Sequence, residues 1–257
     1  MTTAAVILAF AASLCFGLGL VLTQLGLRDL PPLAGAAISV GLLFPGLVTL
    51  LTFEANHRLG PVITGTLGNL APIFAVTLAF LMLGEPLHAM QLVGVGVIVL
   101  GVVLLTMPRG GAHGAWWSWY LLLPLLGAAL RGVVQPTIKL GLAIWPSPFA
   151  ATLVSYVVST LVVLGAMRWR TGTFAAPAPL RGRLWFIGVG VANGMAVLLM
   201  YAALARGPVT LVSPLVATYP LVTVALSALV LGRHEGGVRL AVAVALTVLG
   251  VAFLIAG

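Results

Sequence analysis

Charge is what this sequence has least of. Asp, Glu, Lys and Arg make up 6% of its 257 residues, against about 25% in water-soluble domains. Too few charged groups are present to give the chain a hydrated surface. Only four are acidic: Asp29, Glu54, Glu85 and Glu235. Cysteine is nearly absent too. Cys15 stands alone in an apolar run, which excludes an internal disulfide and a thiolate metal cluster and reads as a buried thiol. His57, His88, His113 and His234 lie in connections or at segment ends, with no metal-site spacing. No metal or other cofactor is implied. Nor is there a Ser-His-Asp set or a carboxylate pair in a position to do chemistry, so the chain does not read as an enzyme. The net charge of +8 comes without any basic run or polar aromatic platform, so nucleic acid is not an expected partner.

What the sequence has in abundance is apolar length. Hydrophobic residues reach 61% and the mean hydropathy is +1.22. Apolar segments fall at about 4–26, 31–53, 61–83, 88–107, 116–142, 147–167, 183–205, 209–231 and 238–256. Each is close to the roughly 20 residues that cross about 30 Å of hydrocarbon as a helix. The period-two alternation of a membrane barrel is missing. The first run lacks a basic leader and reads as a retained span. The connections are short, except 168–182, and leave no room for a soluble domain. The expectation is an all-α polytopic membrane protein.

The chain also repeats itself. An offset of 148 residues pairs Pro72 with Pro220, Gly84 with Gly232, Phe53 with Tyr201, Ala55 with Ala203 and Arg58 with Arg206. An earlier stretch repeats at an offset of 115. There Gln24-Leu25-Gly26-Leu27 aligns with Lys139-Leu140-Gly141-Leu142, Gly17 with Gly132 and Pro31 with Pro146. The offsets differ by 33, so about 33 residues near 156–188 have no partner in the first repeat. The repeats read as 1–108, shortened to four segments, and 116–257, with five helices. Segment 31–53 then joins the front of one helix to the back of another. Its length and lack of interior charge favour a single span over a half-depth hairpin turning near Gly41. Counting positive charge puts Arg168, Arg170, Arg181, Arg183, Arg58, Arg109, Arg233 and Arg239 on the cytoplasmic side, and Arg28, Lys139 and Arg206 outside. An odd number of helices per repeat forces inverted topology.

The stretch from Pro72 to Leu105 is an interrupting Pro, an apolar run into Leu-Gly-Glu, then a Gly-spaced helix. A second copy runs from Pro220 to Leu254, its Leu-Gly followed by Arg233-His234-Glu235. The pattern resembles EamA-type permeases of the drug/metabolite transporter superfamily. The resemblance implies ten helices in two inverted repeats, nine segments being read here. It also implies a central cavity, alternating access, and transport of small polar or anionic metabolites such as amino acids across a bacterial-type inner membrane. Expected partners are a small-molecule substrate and the lipid bilayer, with a coupling proton and a homodimer left open. The superfamily's small multidrug exporters use a membrane-embedded glutamate in their first helix, and the first segment here has no acidic residue. The 33-residue gap suggests a second reading, a non-transporting scaffold or regulator derived from a permease. Restoring a helix hairpin after Val40 and measuring transport would separate the two.

Polar residues inside the apolar segments are the candidate substrate contacts. Arg131 sits mid-segment, with Gln135 and Lys139 following at i+4 and i+8 on one helix face. Its bland alternative is snorkelling, or neutralising a carboxylate such as Glu54. Pro136 leaves the carbonyl of Gly132 without its helix donor. Asn69, Asn193, Tyr201 and Tyr219 complete the candidate set; buried amides also serve as helix glue, and tyrosines as interfacial anchors. Trp116, Trp117 and Trp119 read as an interfacial belt. Glu54 is placed to pair with Arg58. Glu85, in a tight turn between Gly84 and Pro86, reads as a cap on the following helix in preference to a gate or proton site.

Overall fold

The computed structural model describes residues 2–26, 48, 51, 54–55, 58–59, 64, 67–106, 119–172, 179–231 and 238–256. The span-or-hairpin question over 31–53, and the belt positions Trp116 and Trp117, lie outside these residues. The described elements are α1 (Thr2–Gly26), α2 (Ala71–Leu83), α3 (Ala89–Thr106), α4 (Leu122–Ile144), α5 (Pro148–Thr171), α6 (Leu180–Leu204), α7 (Val209–Val216), α8 (Tyr219–Leu231) and α9 (Val238–Ala256). A 3-10 turn, Trp119–Leu121, leads into α4, which runs two residues past the expected end of its segment. Six of the helical stretches are long and apolar enough to cross a bilayer, α7 joining the start of α8 in one of them, and Ala71–Leu83 and Ala89–Leu104 are shorter apolar helices. The architecture is the expected all-α polytopic membrane protein.

Local chemistry sets the helix ends. Ser147 caps α5 through its Oγ, which accepts from Ala150 N at 3.2 Å, with Pro148 at the first helical position. Gly172 closes the same helix in the left-handed region, at φ 72°. Gly84, at φ 63°, closes α2 in the same way. Lipid accounts for the outer surface, where Leu161 on α5 is 66% exposed and Leu81 on α2 is 67% exposed. In water such a surface would aggregate; in hydrocarbon it costs nothing.

The close approaches reveal the symmetry. Gly17 of α1 lies against α8: a methyl there would stand 2.6 Å from Val222 Cβ and 3.2 Å from Thr223 N. Its counterpart Gly132 of α4 lies against α2: a methyl there would overlap Phe74 Cβ and stand 2.8 Å from Ala75 N. Val222 and Thr223 are Phe74 and Ala75 advanced by 148, just as Gly132 is Gly17 advanced by 115. The two offsets describe one three-dimensional operation, in which each repeat lends a helix to the other.

The helices α3 and α9, equivalent at the offset of 148, pack directly together. Gly94 meets Gly250 and Leu254, while Gly101 meets Ala243 and Thr247. Contacts that climb one helix as they descend the other make the pair antiparallel, so equivalent helices point opposite ways and the repeats are inverted. Glycine is needed at this seam, because a methyl at Gly94 or Gly250 would stand 2.7 Å from a backbone nitrogen of the facing helix.

Contacts between helix ends group together residues that charge counting assigns to the same side. Arg239 Nε donates to Leu104 O at 2.5 Å, and Arg58 Nη1 donates to Tyr120 Oη at 3.3 Å. On the opposite face, Lys139 Nζ donates to Gly207 O at 2.6 Å, beside Arg206.

Candidate functional site

Two helices break at equivalent points. The stretch that includes α2 is interrupted at Asn69-Leu70, and α7 gives way to α8 at Ala217-Thr218. Pro72 and Pro220 follow the breaks. Lacking an N–H, they leave the carbonyls of Gly68 and Val216 without their helix donors. The backbone bonds also match at the offset of 148. Leu70 N donates to Leu67 O, and Thr218 N to Leu215 O, each at 3.2 Å; Ile73 N donates to Leu70 O, and Leu221 N to Thr218 O, each at 3.0 Å. Both breaks fall near the middle of their apolar segments. Paired interruptions there expose backbone dipoles where a substrate can use them.

The side chains around the breaks differ. At the first, Asn69 is buried (4% exposed) and its Oδ1 accepts a 2.9 Å hydrogen bond from Tyr219 Oη, so one bond ties the two breaks together. Arg131 of α4 lies against this break, with Nη1 3.7 Å from where a methyl on Gly68 would stand. Gln135, one turn further along α4, is buried, and its Oε1 has no hydrogen-bond partner among the described residues. An orphaned buried acceptor costs about 1–3 kcal/mol, a debt that a substrate donor can offset. At the second break the facing helix is α1. Ser13 Oγ lies 3.1 Å from Thr218 Oγ1, and the Phe16 ring packs at 6.1 Å against Tyr219.

The structure thus brings Asn69, Tyr219 and Arg131 together at the breaks, while Gln135 lies further along α4, between the Gly132 contact with α2 and Lys139. Asn193 sits further along, its Oδ1 against Gly19 of α1 and its backbone carbonyl accepting from Tyr156 Oη at 3.4 Å. Tyr201 lies three residues from the end of α6, with its hydroxyl 3.4 Å from Ser155 Oγ and almost no exposure. Sequence reasoning passed over Ser13 and Thr218. Their signal was the repeat itself, since Thr218 immediately precedes Tyr219 at the second break.

Glu85 corrects an expectation. It is a cap, but not of the helix that follows. Its Oε1 accepts from Val209 N at 2.9 Å and its Oε2 from Thr210 N at 3.0 Å, so it caps α7, 124 residues away for the first of these bonds. Lys139 Nζ completes the cluster, 3.0 Å from Glu85 Oε1. The left-handed turn at Gly84 ends α2 and turns the next residue toward α7, while Gln91 serves the entrance of α3 by accepting from His88 N at 3.4 Å. Glu54 pairs with Arg58 at 3.0 Å, as its spacing suggested.

Inverted repeats of apolar helices with paired breaks fit a polytopic membrane transporter. The chain belongs to the EamA-like transporter family, whose model matches residues 34–107 and 117–256. It is similar to the multidrug resistance proteins Mmr of Mycobacterium bovis and Mycobacterium tuberculosis. Each is 35% identical over 89 residues, covering 34% of this chain and 78% of the relative. A solved crystal structure superposes with a TM-score of 0.78 at 19% identity, over 98% of this chain and 96% of its own, and shows the same fold.

Proposed function

We propose that the protein moves a small polar or anionic metabolite, such as an amino acid, across a bacterial inner membrane by alternating access. Arg131 would be the cationic contact, Asn69 and Tyr219 would supply polar contacts at the two helix breaks, and Gln135 would supply one further along α4. Asn193 would border the path, while the position of Tyr201 suits packing between α5 and α6. The observation that supports this reading is Arg131 lying against the Asn69-Leu70 break, on the helix that also carries the buried Gln135 acceptor without a partner among the described residues. A charge inside an apolar segment is costly enough to need a use. Rocking of the two repeats about the breaks would expose the site to each face in turn.

A second reading, efflux of organic cations, draws on the likeness to relatives named multidrug resistance proteins. Against it stands the placement of all four acidic residues between apolar segments or at their ends, leaving no carboxylate at mid-depth to hold a cation.

Uptake and efflux in proteoliposomes, with a panel of neutral amino acids, carboxylates and organic cations, tests both. The proposal expects flux of an amino acid or carboxylate that falls with Arg131→Ala and is partly kept by Arg131→Lys. Flux of cations alone, unaffected by Arg131→Ala, would overturn it.

A further inference from the structure

The Glu85 cluster lies outside the substrate site and joins three elements from both repeats. Glu85 follows α2 in the first repeat; Lys139 on α4 and the N-terminus of α7 belong to the second. The side chain of Glu85 is 9% exposed and that of Lys139 is 28% exposed, so the pair is mostly shielded from water. Four polar contacts meet in this one place: two α7 amides on the carboxylate, the ion pair, and the Lys139 donation to Gly207 O. Lys139 also stands eight residues beyond Arg131 on one face of α4, about 12 Å further toward the membrane surface. The cluster therefore lies over the candidate site on one side of the membrane. The nearby Arg206 is engaged elsewhere, donating to Ala202 O at 3.0 Å.

The repeat makes this arrangement one-sided. At offsets of 148 and 115 the counterparts of Glu85 and Lys139 are Arg233 and Gln24, with the acidic residue of the motif displaced to Glu235. An arginine at position 233 has no acceptor with which to cap a helix, and a glutamine at position 24 carries no charge.

We propose that Glu85 and Lys139 form a latch that closes this face of the transporter, and that the latch parts whenever the face opens. In an inverted repeat, opening one face separates elements of the two repeats there. The described contacts on this face that cross between repeats at an ionised group are those of Glu85. The carboxylate is suited to the task because the α7 N-terminus supplies partial positive charge as well as two donors. Closing the face gains a charge-assisted cluster, and opening it returns every member to water, so neither state strands a buried charge.

The test reads conformation without substrate, so its outcome is independent of the substrate class proposed above. Ser213, on α7 one turn below the capped amides, is buried, and its hydroxyl has no partner among the described residues. In the Cys15→Ala protein, Ser213→Cys reports opening by its reaction rate with a water-soluble maleimide. Each variant is first shown folded by its thermal transition. Lys139→Gln and Glu85→Ala should raise the labelling rate about tenfold, the scale of one lost contact to a charged group. Glu85→Gln should fall between them and the parent, because its amide oxygen still accepts from α7. Lys139→Arg should keep the parent rate. If Glu85→Ala loses its thermal transition, Lys139→Gln decides alone, since it leaves both α7 amides capped. Unchanged labelling in folded Lys139→Gln, or equal acceleration by Lys139→Arg, would overturn the latch.

Discussion

The two helix breaks have the same backbone and different surroundings. At Asn69-Leu70 and Ala217-Thr218 the same hydrogen bonds recur at the same distances, and each break is approached by the first helix of the opposite repeat. Arg131 comes to one, and its counterpart Phe16 to the other. Asn69 answers to Ala217, Tyr219 to Ala71, and Gln135 to Leu20. Backbone symmetry supplies the paired breaks and their freed carbonyls, whereas the side chains that meet them differ. Duplication alone would give two equivalent half-sites. What distinguishes them is a cation on one side, and an aromatic pair with a hydroxyl pair on the other.

The largest expected effect of disturbing this comparison is at Arg131. Arg131→Ala should lower the transport rate about 10- to 100-fold, the loss of a contact to a charged group. Phe16→Ala, its repeat counterpart, should cost far less in flux. Equal losses at the two positions, measured in proteoliposomes, would mean that the breaks share the substrate evenly.

Packing comes next. Gly17→Ala and Gly132→Ala both force a methyl onto the facing helix at equivalent points, where backbone atoms block retreat. Each should destabilise the protein by about 1–3 kcal/mol in a reversible detergent unfolding titration. A large cost at only one of them would show that the twofold relation fails at the α1–α8 and α4–α2 contacts.

A smaller effect is expected at Tyr219→Phe, which removes the hydrogen bond that joins Tyr219 to Asn69 across the breaks. It should cost about 1 kcal/mol in the same titration, and Asn69→Ala combined with it should add little, because both remove one interaction. Smallest of all is Gly96→Ala, where a methyl meets nothing within 4 Å. Helix propensity then favours alanine by up to about 1 kcal/mol, so unchanged or slightly raised stability is the expected result.

Much of the fold was legible because lipid imposes a simple rule. Apolar segments of span length had to be helices, and glycine and proline repeating at two offsets had to mark equivalent contacts. Gly17 and Gly132 show why this worked: a close approach permits one residue type, so the sequence keeps it in both copies. The breaks were legible through Pro72 and Pro220. Polar positions were less so. Tyr201 and Tyr219 are alike in sequence, yet one packs beside Ser155 near a helix end and the other reaches Asn69 at a helix break. Helical periodicity fixes a face but not which neighbour fills it. Glu85 shows the same difficulty. The need for a helix end to be capped was readable from the turn chemistry, but the helix it caps is brought there only by the fold.

The central claim is that the two copies of one sequence pattern sit upside down relative to each other in the membrane. His88 and Gly236 occupy the same place in the two copies, at the offset of 148. Single cysteines at these positions, His88→Cys and Gly236→Cys, each in the Cys15→Ala background, can be probed in right-side-out vesicles with a membrane-impermeant thiol reagent. Labelling of His88→Cys from outside, and of Gly236→Cys only after the vesicles are opened, is the result expected of inverted copies. Labelling of both from the same side would contradict it.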